Sequence, residues 1–246
     1  MHRRTRIPTH PDQRGAVIML MLLILILGAA SVLLTKLNKG DARQPDNVAA
    51  TTELGAITGG LIGHATINGF CLPCPDTNND GVAETTCGTG APVSGRLPWI
   101  TLGLGAVDTW GHRLRYVVDP DFTDQGTGNC SITQSLQSDI VVQSRDTAGT
   151  LFNLLPVADN PPAAVIAHGA NGYGAVSESG AALPLPPASH LDEETNRTAV
   201  TNLVQRVASD VAATAGGPFD DLLGWVDLAE YKAQLVRADN GTPLPP

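Results

Sequence analysis

Aromatic residues are scarce in this 246-residue chain, at 4%, and cations are outnumbered, with 15 lysines and arginines against 24 aspartates and glutamates. Beyond the N-terminal arginines the sequence shows no basic cluster, which argues against nucleic acid or anionic lipid as a partner. Neither a G-x-S-x-G nor an H-E-x-x-H pattern occurs, and the six histidines are scattered, so the commonest serine-hydrolase and zinc-peptidase arrangements are excluded. There is no internal repeat, which removes the solenoid architectures.

One segment lacks charge altogether. Ala16 to Leu34 (AVIMLMLLILILGAASVLL) contains no charged residue, Pro, Asn or Gln. At about 1.5 Å of rise per residue this run nearly spans a hydrocarbon core roughly 30 Å thick, and it reads as a membrane helix. Arg3, Arg4, Arg6 and Arg14 precede it, so the positive-inside tendency keeps residues 1–15 in the cytoplasm and sends the rest across the inner membrane. The formal charge of −9 then divides into +3 on the first 15 residues and −12 on the remainder. The exported part, about 200 residues long, suffices for one acidic domain.

All four cysteines, Cys71, Cys74, Cys87 and Cys130, fall on the exported side, where disulfides persist. Three pairings are open to them. Two structural disulfides closing the region from Cys71 to Cys130 account for them better than a redox Cys71-Leu-Pro-Cys74 site, which lacks a thioredoxin-like strand and helix around it, or a structural zinc, whose ligands would be oddly scattered.

After a polar stretch from Asn38 to Asn47, Val48, Leu54, Ile57, Leu61 and Ala65 recur at helical spacing and predict one apolar helix face. Gly55, Gly59, Gly60 and Gly63 each cost about 1 kcal/mol relative to Ala, so such a helix needs a domain to pack against. Asn68 to Pro98, rich in Gly, Pro, Asp and Thr, reads as an extended loop pinned by cysteines. Arg113–Val118, Asp139–Gln143 and Ala163–His168 read as short strands of a small antiparallel sheet, with Leu222–Val226 as a fourth. Asp227–Val236 reads as a short helix, and the spacing of Val200, Leu203, Val204, Val207 and Val211 predicts another over Thr198–Val211. Pro184, Pro186 and Pro187 mark a loop, and Pro243, Pro245 and Pro246 a tail.

Asp76, Asn78, Asp80 and Gly81 match the first half of a calcium loop, with oxygen ligands at alternate positions and Gly after the third. The twelfth position is Cys87 where an EF-hand needs Glu, so only a partial site is expected, with Glu84 at the ninth position. The alternative is a polar Asx-turn loop. His168-Gly169-Ala-Asn171-Gly172-Tyr173-Gly174 follows a strand but lacks the G-x-G-x-x-G order of a nucleotide loop, and it reads as a tight turn with His168 packed or hydrogen-bonded. Asp220 and Asp221 could pose as a paired-carboxylate site, but adjacent residues on a strand point to opposite faces, and the pair reads as a solvated acidic turn.

The order of the N-terminal signals, a basic leader ending in Gln13-Arg14-Gly15 and an apolar run starting at Ala16, resembles the type III leader of type IV pilins and type II secretion pseudopilins. Further blocks resemble a proteobacterial pseudopilin-like group. The first is Asn68-Gly69-Phe-Cys-Leu72-Pro73-Cys74-Pro75-Asp76 with Cys87 downstream, and the second is Leu97-Pro98-Trp99-Ile-Thr101-Leu102-Gly103-Leu104 followed by Asp108-Thr-Trp110-Gly111-His-Arg113-Leu-Arg115-Tyr116. A third region runs from Ala164–Gly172 to Phe219-Asp220-Asp221-Leu-Leu-Gly-Trp225.

The resemblance implies that a prepilin peptidase cuts between Gly15 and Ala16, and that residues 16–37 are the transmembrane part and 38–68 the periplasmic part of one long helix. That helix would pack on a small antiparallel sheet of an α+β domain, residues 69–240, followed by a Pro-rich tail, 241–246. It implies partners among other pilins or pseudopilins through the N-terminal helix, a structural role with no active site, a Cys74–Cys87 pair leaving Cys71 with Cys130, and calcium as the expected ion if the Asp76 loop holds one. Trp99, Trp110 and Gly111 are then core and turn residues. Major pilins carry Glu at the fifth mature position and this chain has Leu20, which points to a minor, initiating or tip subunit. Two alternatives remain: a calcium-stabilised binding or adhesion module on a plain anchor, and a tethered enzyme built on His168 with a nearby acid.

Overall fold

The structure, a computed structural model, describes residues 14–146 and 148–246 in backbone, with the side chains of residues 14–18, 20 and 28–45 outside that description. The chain divides into two units, Met1–Asn47 and Val48–Pro246. In the first, the described backbone is the beginning of helix α1, Arg14–Ile67, and the side chains of Met19 and of Met21 through Leu27 are exposed. Among the described residues no helix is long and apolar enough to cross a membrane. The span expected over Ala16–Leu34 falls mostly on residues whose side chains lie outside the described residues, as does the leader before Arg14, and the backbone of Gly15 and Ala16 lies in the first turn of α1.

The second unit is mixed α+β. Its main sheet has four antiparallel strands in the order β1 (Val93–Arg96), β3 (Arg115–Val118), β6 (Ala163–Ala167) and β9 (Leu222–Trp225). Both faces of this sheet are covered, so β3 and β6 are buried at every position and read as continuous apolar runs apart from Arg115. Tyr116 and Val118, with Ala163, Val165 and Ala167, share a core with Leu54, Ile57, Leu61 and Ala65 of α1 and with Leu228, Tyr231 and Leu235 of helix α4 (Leu228–Ala238). Val117, Ala164 and Ile166, on the opposite face by the two-residue period of a strand, pack with Ile140, Val142 and Leu203. Those last residues belong to or flank a three-stranded sheet ordered β5 (Leu151–Asn153), β4 (Val141–Arg145), β8 (Asn202–Val204), in which β4 and β8 are parallel. A two-stranded ribbon pairs β2 (His112–Arg113) with β7 (Val176–Ser177). Helix α2 is one turn, Trp99–Leu102, and α3 spans Leu191–Thr198.

The helix over residues 48–67 buries Leu54, Ile57, Leu61 and Ala65, whereas Val48 is exposed. Burying aliphatic side chains of this size stabilises by about 1.5–3 kcal/mol each, enough to offset the four glycines on the same segment. Asp227 starts α4 by accepting from the Glu230 amide at 2.7 Å. Two disulfides, Cys71–Cys130 and Cys74–Cys87, tie the segment after α1 to the rest of the unit.

Three expectations are corrected. The helix expected over Thr198–Val211 is absent: α3 ends where it should begin, and the segment forms β8, burying Leu203 and Val204 while Val207 and Val211 stay exposed. Pairing of β-branched residues alongside β4 outweighs the weak helical spacing. The loop from Asn68 to Pro98 contains β1, whose Val-Ser-Gly-Arg carries little strand propensity but completes the edge of the main sheet. The strand expected at Asp139 begins at Val141 and lies outside the antiparallel main sheet, in the three-stranded sheet beside parallel β8.

Candidate functional site

The Asp76 loop is held together by its own backbone. Asp76 is fully buried, one carboxylate oxygen accepting from the Asn79 amide at 2.6 Å and the other from the Gly81 amide at 2.8 Å. Asn78 accepts from the Asp80 amide and Asp80 from the Val82 amide, both two residues on, while Glu84 accepts from the amide and hydroxyl of Thr77. This is the hydrogen bonding of successive Asx turns. The carboxylates of Asp76, Asp80 and Glu84 do not converge: the described residues hold one acidic group of three with ligand atoms within 4.8 Å of one another, Glu193, Asp220 and Asp221, which lies elsewhere. The oxygens expected to ligate calcium at Asp76, Asn78, Asp80 and Glu84 thus accept from amides and a hydroxyl of the loop itself, the pattern of the alternative turn reading.

Trp99 and Trp110 are half-buried rather than core residues. The Trp110 side chain packs at the edge of the core that α1 covers, and the Gly111 amide closes a turn on the Asp108 carbonyl at 2.9 Å. The Trp99 ring carries the Arg113 guanidinium on its face, with the guanidinium carbon 3.7 Å from the ring centre.

That stacked arginine belongs to a polar cavity of about 210 Å³ lined by Ser94, Arg96, Arg113, Arg115, His168 and Arg197 together with the backbone of Gly174 to Val176. Arg96 and Arg115 are direct cross-strand partners on β1 and β3, a like-charge pairing that ordinarily destabilises a sheet. Arg113 lies two residues before Arg115, on the same side by the strand period. Arg197 comes from the last turn of α3, and its stem passes against Gly174, where a Cβ would lie 2.4 Å from Arg197 Cδ.

Of these four arginines, only Arg197 has a carboxylate partner within 4.0 Å among the described residues, donating to both oxygens of Glu194. Arg115 donates to the Asn196 and Ala199 carbonyls at 2.9 and 2.8 Å and to the Ser94 hydroxyl at 3.0 Å, so it also closes the C-terminal end of α3. Arg113 donates to the Glu178 carbonyl at 2.7 Å, yet its Nε and one terminal nitrogen are buried without partners, as is Nε of Arg96. Burial, then the neighbouring charges of Arg96 and Arg197, push the Arg115 guanidinium down to about 10, with Asp221 opposing. Burial and Arg113 likewise lower Arg96, with Asp76 opposing. Arg115 thus remains charged at neutral pH, in a local excess of positive charge on an acidic unit.

Behind this cavity lies a buried acidic network. His168 Nδ1 is 3.4 Å from Asp221 Oδ1, both residues almost fully buried. Asn196 donates to Asp221 at 2.9 Å and to the Val204 carbonyl, and accepts from the Val204 amide, which locks α3 to β8. Glu193 accepts from Asn171 and from the Asp220 amide and pairs with His190 at 2.6 Å. Asp220 is half-buried, and burial first, then the charges of Glu193 and Asp221, raise its carboxyl to about 7 against the Asn171 amide that lowers it. Adjacent Asp220 and Asp221 thus come to one cluster with Glu193, both preceding β9, and Asp221 is buried where the sequence predicts a solvated acidic turn. No family model, no curated protein and no solved structure matches this chain.

The arginines were not singled out by sequence reasoning, since Arg96, Arg113, Arg115 and Arg197 are spread over about 100 residues and converge only through β1, β2, β3 and α3. The available signal was the pair Arg113 and Arg115 at a two-residue spacing inside an expected strand, where an otherwise buried face carries two charges.

Proposed function

We propose that this chain is a minor pilin-like subunit of a type II secretion pseudopilus or a type IV pilus. It is anchored in the inner membrane by residues 16–37, with its α+β unit in the periplasm. A prepilin peptidase removes residues 1–15 at Gly15/Ala16, and the exposed apolar side of the N-terminal helix packs against other pilins or pseudopilins in the fibre. The observation that carries the reading is α1. Its C-terminal part lays Leu54, Ile57, Leu61 and Ala65 onto an antiparallel sheet, while side chains near its N-terminal end, Met19 and Met21 through Leu27, form an exposed apolar run. Such a run in a solvent-facing helix is a liability unless lipid or neighbouring helices cover it.

Leu20 supports a minor position. A carboxylate in the bilayer costs roughly 2.5–3.5 kcal/mol on insertion scales and persists where a partner offsets it, as a neighbouring subunit's N-terminal amine does in a shaft. Without that carboxylate the chain fits a place where the pairing is not required. The test is fibre incorporation. Fibres sheared from cells should contain the chain far below the stoichiometry of the main subunit, and the Gly15→Leu variant should be missing from them. Abundant fibres that never contain the wild-type chain would overturn the assembly role and leave an anchored periplasmic module.

A further inference from the structure

The unit from Val48 to Pro246 contains eight lysines and arginines, and four of them face one cavity. Of these, Arg96, Arg113 and Arg115 have no carboxylate within 4.0 Å among the described residues, although 21 aspartates and glutamates occupy the same unit. Three guanidinium groups in a half-enclosed space repel one another, and buried charged donors without partners are costly to maintain. The acidic side chains that could neutralise them are committed elsewhere. Both oxygens of Asp76 hold backbone amides, Glu194 is taken by Arg197, and Asp221 is turned to Asn196 and His168. The arginines are held in place with their hydrogen bonding incomplete: Arg113 is fixed by the Trp99 face and the Glu178 carbonyl, Arg115 by the end of α3, and Nε of Arg96 and of Arg113 are buried and unpartnered.

We propose that this cavity, between β1, β3 and the Gly174–Val176 segment, binds a doubly charged oxyanion of the phosphate class through Arg96, Arg113 and Arg115. A tetrahedral dianion offers oxygens in several directions, so guanidiniums from β1, β2 and β3 can each take one or two, as their rigid donor forks favour. At about 30 Å³ of liquid volume per water, 210 Å³ corresponds to roughly seven waters, room for an inorganic ion or the head of a small monoester and too little for a large ligand. A single monocarboxylate would leave most of the positive charge unmatched. The inference does not depend on the assembly role.

The test is isothermal titration of the detergent-solubilised full chain with inorganic phosphate, glycerol phosphate and acetate in turn, at ionic strength held constant with chloride. Saturable binding of at least one phosphate is expected, with acetate at least about tenfold weaker. Tighter binding of inorganic phosphate would assign the free ion, and tighter binding of glycerol phosphate the ester. Arg113→Gln and Arg96→Gln, each removing charge-assisted hydrogen bonds, should weaken binding roughly ten- to a hundredfold with melting temperatures close to wild type. No saturable binding of either phosphate up to about 10 mM, acetate binding as tightly, or unchanged affinity in both folded variants would overturn the proposal.

Discussion

Replacing Asp192 by Asn should cost this protein more stability than removing any exposed charge. Asp192 is fully buried and lies between two arginines: Arg145 donates through Nε and a terminal nitrogen at 2.9 and 2.7 Å, and Arg206 donates through Nε at 2.7 Å. Arg206 is itself nearly buried and is further held by the face of Phe219, so it cannot swing into solvent when its partner is neutralised. Removing one member of a buried ion pair typically costs 3–5 kcal/mol, because the remaining charge is left uncompensated. For a unit of about 200 residues, where 1 kcal/mol moves the midpoint by roughly 2–4 °C, the expected loss is about 6–20 °C, read by circular dichroism on the full chain in detergent. Glu194→Gln is the control, since the Glu194 side chain is 44% exposed and its pair with Arg197 should contribute no more than about 1 kcal/mol. Equal melting temperatures for the two variants would refute the argument that the buried triad holds α3 and β4 in place.

Leu61 is fully buried under the main sheet, and Leu61→Ala should cost about 3–5 kcal/mol in a denaturant titration; a loss under about 1 kcal/mol would mean that α1 does not pack as described. Gly81 has φ +84° and a Cβ there would lie 2.3 Å from the Trp99 ring, so Gly81→Ala should lower the melting temperature by several degrees, about 1–3 kcal/mol, and shift tryptophan fluorescence. Asp220, raised to about 7 in the folded protein from an ordinary 3.8, binds its proton more tightly folded than unfolded. Its contribution to stability is therefore unchanged below about pH 4 and falls as pH rises from there through about 7. Asp220→Asn, which mimics the protonated form, should melt higher than wild type at pH 8 and close the gap towards pH 4; a gap independent of pH would contradict it.

The parts of the fold that were legible in the sequence are those where burial follows a simple period. Leu54, Ile57, Leu61 and Ala65 announce the packed side of α1, and the apolar runs of β3, β6 and β9 announce the main sheet. Helix α3 was not legible, because LDEETNRT has a single apolar residue, Leu191, and that one is exposed. Its buried face is Asp192, Glu193 and Asn196, stabilised by Arg145, Arg206, His190 and backbone groups from distant segments. A polar core of this kind has no sequence period, since each buried charge depends on a partner that only the tertiary structure supplies. The arginine cavity escaped for the same reason, and the calcium-like spacing of Asp76, Asn78 and Asp80 is ambiguous in sequence because the same residues that ligate a cation also cap backbone amides.

The central claim, that this chain enters a pilin pathway, is tested most directly at its N-terminus. The chain is expressed with and without a prepilin peptidase, and the membrane-bound product is weighed by mass spectrometry beside the Gly15→Leu variant. The account expects a mature chain beginning at Ala16 only when the peptidase is present and Gly15 intact. A leader retained in every sample would contradict it.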